Sequence, residues 1–502
     1  MSRGGGVRVF CRRFSVFGIL FFFSFILLSG CAVGPRYSHP TAPVPPAYKA
    51  YKEEPPGWKT AQPNDQIARG KWWEIFGDAQ LNGLEEQVNV ANQSLKAALA
   101  QFEQARALVR FNRADYYPTV TAGVSASRNR QSRNRALATT LSKTNYTDLI
   151  LPLTVSYEPD VFGRVRRTVE AARSNAQASA GDLESVRLSL HAELAVDYFQ
   201  LRTLDAEEQL LNDNVVAFEK ALQLTQNRYQ GGIASAVDVA QAQTELETTR
   251  SQAIDIQLQR SQFEHAIAVL IGQPASSFSI PTAPWSTPPP VIPPGLPSDL
   301  LERRPDIAAS ERRVSAANAQ IGVARAAYFP LLSLSGSGGF ESSSVGNWFS
   351  GPSGFVSAGA SAVVTALDVG RRRAVSEQAR AAYDQTVANY RETVLNAFQE
   401  VEDNLAALRI LEDEAKTQAA AVAAAQHSLE LSSNRYKGGV VSYLEVITAQ
   451  SIALTDERAG VDILRRRMTA SVQLIKALGG GWNSSNLPVV KLDTPSPRAN
   501  GQ

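Results

Sequence analysis

The chain contains two copies of one sequence pattern. Residues 227–239 read NRYQGGIASAVDV, and residues 434–446 read NRYKGGVVSYLEV. The copies are 207 residues apart, and this spacing holds without a gap from Gly163 to Gly272 of the first copy. A match of this length indicates two copies of one structural unit, which constrains the fold before any other feature.

The first 30 residues have the composition of an export signal. Four arginines precede an apolar run of about 15 residues, and small residues follow. The run ends in Leu-Ser-Gly-Cys31, which resembles the site read by lipoprotein signal peptidases. We predict cleavage before Cys31 and lipid attachment to its sulfur; the alternative is a plain signal or short anchor that contains a cysteine. At about 0.8 kcal/mol per buried methylene, two or three acyl chains anchor a protein firmly.

The composition gives no sign of catalysis. Once the signal is removed only Cys31 remains, so neither a disulfide framework nor a thiol metal site is expected. Four histidines stand far apart, and the sequence has neither a Gly-rich phosphate loop nor a Gly-x-Ser-x-Gly elbow. A formal charge of +2 and 44% hydrophobic residues indicate neither nucleic-acid binding nor disorder. We predict no enzyme activity, no metal, no cofactor and no nucleic-acid partner.

Hydrophobic periodicity divides the first half of the chain into distinct parts. Residues 31–77 are rich in proline and predict an extended tether that follows the lipidated cysteine. Residues 78–272 form the first repeat: a helix, a β-hairpin at about 118–160, a long helix, a turn at two glycines and another helix. The long helix runs without proline from Arg164 to about Tyr229, and its heptad-like spacing predicts coiled-coil packing.

The second half repeats this order. A proline-rich linker, residues 273–298, precedes the second repeat at 299–479, which has its hairpin at about 330–368. Residues 480–502 form a C-terminal tail. The long helix of each copy nearly equals its two shorter helices in length, so the shorter ones can stack end to end and form a second track of equal height.

The predicted fold class is mainly α with membrane β. In the hairpins, small or apolar residues alternate with Ser, Thr and Gly, which predicts strands with unlike faces. Four strands cannot close a transmembrane barrel, and unpaired sheet edges are not tolerated in lipid. We therefore expect a homotrimer with a twelve-stranded outer-membrane β-barrel, continued by a periplasmic α-barrel of coiled-coil helices. A dimer with eight strands is the less roomy alternative.

Four motifs and the glycine turns resemble one family. The motifs are CAVGPRY at residues 31–37, WWEIFGD at 72–78, LPSDLLERRPD at 296–306 and YFP at 328–330. Together they resemble the TolC family of outer membrane factors, in its lipoprotein branch (the NodT or OprM type) that serves RND efflux pumps. The resemblance implies a trimeric outer-membrane channel with a large periplasmic portion, N-palmitoyl and S-diacylglycerol groups on Cys31, and no catalytic residues. It also implies two partners, a periplasmic adaptor (membrane fusion protein) and an inner-membrane RND-type transporter.

The resemblance also assigns site residues. The tip turns that contact the adaptor are implied at Gly231, Gly232, Ile233, Gly438, Gly439 and Val440. A periplasmic gate is implied at Asp238, Tyr436 and Glu445, with Tyr436 bonded to Asp238 in the closed state. The first turn has Gly231 where Val is commoner, and Thr448 stands where some relatives have a second acid. A ring of carboxylates around a pore attracts cations, whereas the alternative role for an acid in a first helical turn is capping.

The resulting function is passive export of small toxic compounds delivered by the pump and the adaptor. Two alternatives remain: a duct for type I protein secretion, and a lipid-anchored periplasmic coiled-coil scaffold. A lipoyl-like β-domain beside a single helical hairpin would mark an adaptor, and the sequence has no such domain.

Overall fold

The computed structural model of the chain describes residues 33–46, 48–49, 70–132, 145–292 and 300–482. The predicted export signal, Cys31 and most of the predicted C-terminal tail lie outside these residues. Parts of the predicted tether and of the predicted proline-rich linker also lie outside them.

Long helices in matched pairs form most of the described chain. The first copy contains α1 (Ala79–Ala91), α2 (Gln93–Ala114), α3 (Arg164–Gln230) and α4 (Ala236–Leu270). The second copy contains α5 (Leu300–Arg303), α6 (Pro305–Ala326), α7 (Arg371–Lys437) and α8 (Tyr443–Ala477). Helices α3 and α7 have 67 residues each, and α4 and α8 have 35 each. At about 1.5 Å per residue, α3 and α7 each span roughly 100 Å.

Two helices that were each expected to be continuous are broken. Between α1 and α2, Asn92 leaves the helical conformation, accepts a bond from the Leu95 amide at 2.9 Å and donates to the Leu270 carbonyl at 2.7 Å. Between α5 and α6, Arg304 is extended because Pro305 disfavours the α conformation in the residue before it. Both breaks fall where the helix meets the end of another helix. No helix among the described residues is long and apolar enough to cross a membrane.

The shorter helices stack end to end, as expected from their lengths. The end of α4 lies against the junction of α1 and α2, where a Cβ on Gly272 would be 2.5 Å from the Ala91 carbonyl oxygen. The end of α8 lies against the junction of α5 and α6, where a Cβ on Gly479 would be 2.1 Å from the Arg303 carbonyl oxygen. Both glycines also have positive φ angles, 69° and 91°. Only glycine allows this close approach of backbone to backbone.

The two hairpins form one antiparallel sheet. Its strands are β1 (Thr119–Ala122), β2 (Ser125–Arg130), β3 (Asn145–Tyr157), β4 (Leu331–Ser342) and β5 (Gly354–Val363). Strands β1 and β2 both pair with β3, which pairs with β4, and β4 pairs with β5. The strand expected to begin the first hairpin is therefore split in two, although its register on β3 is continuous. The split lies opposite Pro152, which accepts a bond from the Gly123 amide at 3.1 Å but has no N–H to return.

The sheet has two unlike faces, as the alternating sequence predicts. Cross-strand hydroxyl pairs mark one face, with Ser333 and Ser361 at 2.7 Å and Ser337 and Ser357 at 2.8 Å. The register places these further Ser and Thr residues on the same polar face: Thr119, Thr121, Ser125, Ser127, Thr154, Ser156 and Ser335. The opposite, apolar face carries Val120, Ala122, Leu149, Leu151, Leu153, Val155, Leu334, Val356, Ala358 and Ala360.

The N-terminal segment, predicted as an extended tether, lies against the helices. The Val33 amide donates to the Phe162 carbonyl at 3.1 Å, where the sheet meets α3. Further along, the Lys49 amide donates to Glu402 of α7 at 2.6 Å. Arg391 of α7 also donates to the Thr41 carbonyl at 3.1 Å. The segment therefore runs along the second repeat from the sheet toward the middle of α7.

A buried carboxylate fastens the linker between the repeats to the first repeat. Asp205 accepts from Arg202 at 2.9 Å and from Arg260 at 2.7 Å, and its side chain is fully buried. The same carboxylate accepts from the Ala283 amide at 2.9 Å. Both arginines also donate to carbonyls of the linker. Arg202 donates to the Pro281 carbonyl at 2.7 Å, and Arg260 donates to the Ile280 carbonyl at 2.6 Å. The paired charges and backbone groups satisfy one another away from water, which keeps this polar cluster compatible with burial.

A second buried pair joins α1 to α3. Glu85 Oε2 lies 2.6 Å from His191 Nδ1, and Asn89 Oδ1 lies 3.2 Å from His191 Nε2. Burial lowers the pKa of His191 to about 4 and raises the pKa of the Glu85 carboxyl well above its usual value. Both shifts favour the neutral forms of the two groups, and we expect a hydrogen bond in which the protonated carboxyl donates to Nδ1. Trp73 stacks on the imidazole at 4.4 Å and covers the pair.

We expect Glu85→Gln to lower the free energy of unfolding by less than about 1 kcal/mol, because an amide also donates to Nδ1. Glu85→Ala should cost about 3 kcal/mol, since it leaves a cavity and a buried acceptor without a donor. Denaturant unfolding at pH 7 in detergent distinguishes the two variants. Equal, large losses would instead indicate a buried ion pair, whose disruption costs about 3–5 kcal/mol.

Candidate functional site

The two glycine turns lie side by side at the end of the helices remote from the sheet. Residues 231–235 connect α3 to α4, and residues 438–442 connect α7 to α8. Arg228, in the last turn of α3, joins them by donating to the Tyr436 carbonyl of α7 at 2.7 Å. The structure thus brings together all six residues that the sequence predicts as tip turns.

Both turns end their helices in the same way. The Ile233 amide donates to the Arg228 carbonyl at 2.8 Å, and the Val440 amide donates to the Arg435 carbonyl at 3.0 Å. The second glycine of each turn has a left-handed backbone, with φ of 75° at Gly232 and 74° at Gly439. Glycine is favoured at this position because a Cβ would strain it. The first glycine of each turn has a negative φ and does not need this freedom.

Apolar side chains project from these turns into solvent. Ile233 and Val440 are each 70% exposed. Val237 and Leu444, in the first turns of the following helices, are also largely exposed. The two turns thus present matched apolar side chains to solvent at the end of two adjacent helical hairpins.

Asp238 caps the helix that follows the first turn. Its carboxylate accepts from the Ser235 amide and the Ser235 hydroxyl, both at 2.9 Å, and the Asp238 amide donates to the Ser235 hydroxyl at 3.2 Å. This arrangement is a complete capping box. The capping role that was the alternative for Asp238 is therefore present.

The structure shows no bond between Tyr436 and Asp238, the contact that the family resemblance implies for the closed state. Its side chain is 4% exposed, and its hydroxyl donates to Thr225 Oγ1 of α3 at 3.4 Å. The Asp238 carboxylate is instead engaged by its own helix cap. The hydroxyl of Tyr436 therefore links α7 to α3 within one chain and makes no bond to the first turn of α4.

Arg228 joins the two turns more firmly than the tyrosine hydroxyl. Besides the Tyr436 carbonyl, its guanidinium reaches the Lys437 carbonyl at 3.3 Å, and its Cζ lies 4.5 Å from the centre of the Tyr436 ring. The positive charge lies at the C-terminal end of α7, where unpaired carbonyls and the helix dipole favour a cation. We call this set of contacts the Arg228 clasp.

The second copy uses the equivalent arginine differently. Arg435 is exposed and lies 3.3 Å from Glu445, in the first turn of α8. Both side chains are about half exposed, so solvent screens this pair. Glu445 is thus paired across its own turn, whereas Thr448 donates its hydroxyl to the Leu444 carbonyl of its own helix.

A second tyrosine completes the buried side of the tip. Tyr443, at the start of α8, packs on Tyr436 with ring centres 5.2 Å apart. Burial, with smaller effects of Tyr436 and Glu245, raises the pKa of Tyr443 to about 12. The first copy has Ala236 at the equivalent position, so only the second turn places an aromatic ring under the clasp.

Sequence comparison of the two copies could identify Tyr443 but not the Arg228 clasp. Tyr443 differs from Ala236, whereas Arg228 and Arg435 are the same residue in both copies. Their different partners depend on how α3 and α7 pack. In the described part of the chain, no group of three or more His, Cys, Asp or Glu side chains is arranged to hold a metal ion.

Known proteins with similar sequences and structures are outer membrane efflux and channel proteins. The sequence profile of the family described as "Outer membrane efflux protein" matches residues 84–273 and 296–480. Outer membrane protein OprJ of Pseudomonas aeruginosa is 33% identical over 482 residues, covering 95% of this chain and 98% of the relative. Toluene efflux pump outer membrane protein TtgC of Pseudomonas putida is 33% identical over 459 residues, covering 91% and 94%. The crystal structure of the Campylobacter jejuni CmeC outer membrane channel superposes with a TM-score of 0.83 at 26% identity, covering 91% of this chain and 96% of that one.

We expect Arg228→Ala to loosen the second turn. Loss of a charge-assisted bond worth about 1.5–3 kcal/mol should speed amide hydrogen exchange in a peptide covering residues 436–443 by roughly tenfold or more. Arg435→Ala is the matched control, because its ion pair is exposed, and exchange in the same peptide should change little. Equal exchange rates in Arg228→Ala and the unmodified protein would contradict the clasp.

Proposed function

The chain belongs to the outer membrane efflux protein family, and from this premise we propose that three copies form one continuous export channel. As a family member it is the outer-membrane channel component of an efflux system and not an enzyme. Its localisation is the outer membrane, with a large periplasmic portion.

The observation that carries the trimer is the open sheet of the single chain. Among the described residues, β1 with β2 forms one edge of the sheet and β5 forms the other, and neither edge is paired. In a bilayer each unpaired backbone group costs several kcal/mol, so the edges must pair with other copies. With β1 and β2 counted as one interrupted strand, three chains would supply twelve strands, which is within the range of known outer-membrane barrels. The polar Ser and Thr face would then line the lumen, and the apolar face would contact lipid.

The dimensions of the apolar face suit an outer membrane. From Leu149 to Tyr157, β3 rises about 26 Å, or about 20 Å in height at a tilt of roughly 40°. Aromatic residues lie near both ends of the sheet. Phe340, Trp348 and Phe349 cluster at the hairpin end, with ring centres 5.4–5.6 Å apart. At the helix end, Phe162 stacks on Phe329 at 4.8 Å. Such aromatic girdles flank the apolar band of outer-membrane barrels.

The position of the N-terminal segment supports a lipid anchor on Cys31. Val33, two residues further along, is bonded to Phe162 at the junction of sheet and helices. The described part of the N-terminal segment thus begins at the junction of sheet and helices. In the proposed channel the junction is at the periplasmic surface of the outer membrane, where acyl chains can enter the bilayer. We propose N-palmitoyl and S-diacylglycerol groups there.

The glycine turns are proposed as the docking surface for the periplasmic adaptor. The exposed Ile233 and Val440 occupy equivalent places, so three chains would present six similar apolar contacts. The adaptor would link this surface to an inner-membrane transporter of the RND type. The cargo is proposed to be small toxic compounds, since the relative TtgC is named for a toluene efflux pump.

The gate is proposed to lie in the same region. Asp238, Tyr436 and Glu445 all lie within the first or last turn of a helix that borders a glycine turn. Opening the tip would require α7 to separate from α3, which breaks the contacts of Tyr436 with Thr225 and Arg228. The carboxylates of Asp238 and Glu445, repeated in three chains, would give the aperture an acidic lining.

We expect Gly232→Val combined with Gly439→Val to abolish export while trimers persist. Both positions have φ near +75°, where a β-branched residue is strained by about 1–3 kcal/mol, so the turns must change shape. The measurement is survival of a channel-deletion strain carrying the variant, tested on a panel of toxic compounds, with trimers followed on unheated gels.

Gly231→Ala combined with Gly438→Ala is the matched control. These positions have φ of −79° and −74°, and an added Cβ would lie no closer than 3.5 Å to other atoms. Export by this variant should equal that of the unmodified protein. Normal export by the valine variant would count against the turns as the docking surface.

A further inference from the structure

The charged residues of the sheet are separated by face. The described strands contain only four charged side chains: Arg128 and Arg130 in β2, Asp148 in β3 and Glu341 in β4. Asp148 is opposite Ser127, and Glu341 is opposite Ile150, which places both acids on the polar face. Arg128 is opposite Thr147 and Arg130 is opposite Asn145, and both partners are on the same face of β3 as Leu149. Both arginines therefore lie on the apolar face.

Hydrogen bonds between side chains support this assignment of faces. Asn129 donates to Ser127 at 2.9 Å, and Gln131 donates to the Tyr146 hydroxyl at 3.0 Å. Ser127 and Asn129 alternate with the two arginines along β2, Gln131 directly follows that strand, and all three lie on the polar face. The guanidiniums of Arg128 and Arg130 must therefore project from the other side of the strand.

The two arginines lie just beyond the apolar band. Leu149 is the last apolar residue of β3 toward the hairpin end. Arg128 is opposite Thr147, which is two residues further in that direction. At about 3.3 Å per residue and a tilt of roughly 40°, Arg128 is about 5 Å and Arg130 about 10 Å beyond Leu149 in height. In the proposed channel this is the level of the lipid headgroups in the outer leaflet. Long arginine stems can lie on the apolar surface while their charged groups reach this level.

Neither arginine is neutralised by the chain around it. Among the described residues, both side chains are exposed, and no carboxylate is within ion-pair distance of either. A channel of three chains would repeat this pair of arginines three times around the barrel.

We propose that Arg128 and Arg130 bind the phosphate groups of anionic lipids in the outer leaflet. Guanidinium groups bind phosphate with two parallel hydrogen bonds, and the loss of water at a headgroup layer strengthens them. The contact would fix the height and orientation of the barrel in an asymmetric membrane. It rests on the proposed function, because it requires the apolar face to contact lipid.

The test uses the full-length channel and bisphosphorylated lipid A as the probe, with retained lipid counted by native mass spectrometry. Each basic residue near an anionic surface adds roughly fivefold to binding, so Arg128→Gln with Arg130→Gln should weaken retention by about tenfold or more. Arg128→Lys with Arg130→Lys should show an intermediate loss, since lysine keeps the charge but not the paired geometry. Monophosphorylated lipid A should bind the unmodified channel more weakly, and added inorganic phosphate should not displace the bound lipid.

The matched control removes two charges far from the sheet. Lys220 in α3 and Arg409 in α7 are exposed helix residues, and changing both to Gln should leave retention unchanged. Trimer mass and bilayer conductance are recorded for every variant, so that a folding defect is visible. A trimeric, conducting glutamine variant that retains as much lipid A as the unmodified channel would overturn the phosphate contact alone. An unmodified protein that is not trimeric would overturn the shared barrel and the contact together.

Discussion

The unpaired backbone groups at the two edges of the sheet impose the strongest constraint on this molecule. One chain supplies β1 with β2 at one edge and β5 at the other, and hydrocarbon offers no partner for the N–H and C=O groups along them. The proposed closure by three chains satisfies both edges with one kind of contact. It also explains why the chain carries its pattern twice, since each copy adds one hairpin to the barrel and one helical pair beneath it.

The helices must then match the spacing that the strands set. Each hairpin leads into a 67-residue helix, and a single shorter helix could not follow it along its whole length. Stacking solves this mismatch, and it depends on backbone contacts at Gly272 and Gly479 that admit no side chain. The same geometry brings both glycine turns to one end of the molecule. The Arg228 clasp can form only because α3 and α7 end at equal height.

Much of this architecture can be predicted from the sequence, because it depends on local patterns. Helix lengths, strand alternation and turn positions follow from periodicity and from glycine and proline. The features that were missed depend on partners far away in the chain. Asn92 breaks a helix because it bonds to Leu270, 178 residues later. Tyr436 was expected to bond Asp238, but helix packing brings its hydroxyl to Thr225, while Asp238 completes a local cap. The roles of the tip residues in docking and gating stay predictions.

Cross-linking across the sheet edges tests the central claim most directly. A cysteine at Thr121, on β1, would be combined in turn with one at Ser357, Gly359, Ser361 or Val363 on β5, all on the polar face. If edges of neighbouring chains pair, one combination should bring Cβ atoms within about 4.5 Å and form a disulfide in native membranes. The account predicts a ladder on denaturing gels that ends at three chains. Monomers alone for every pair, or a ladder that ends at two or continues past three, would contradict it.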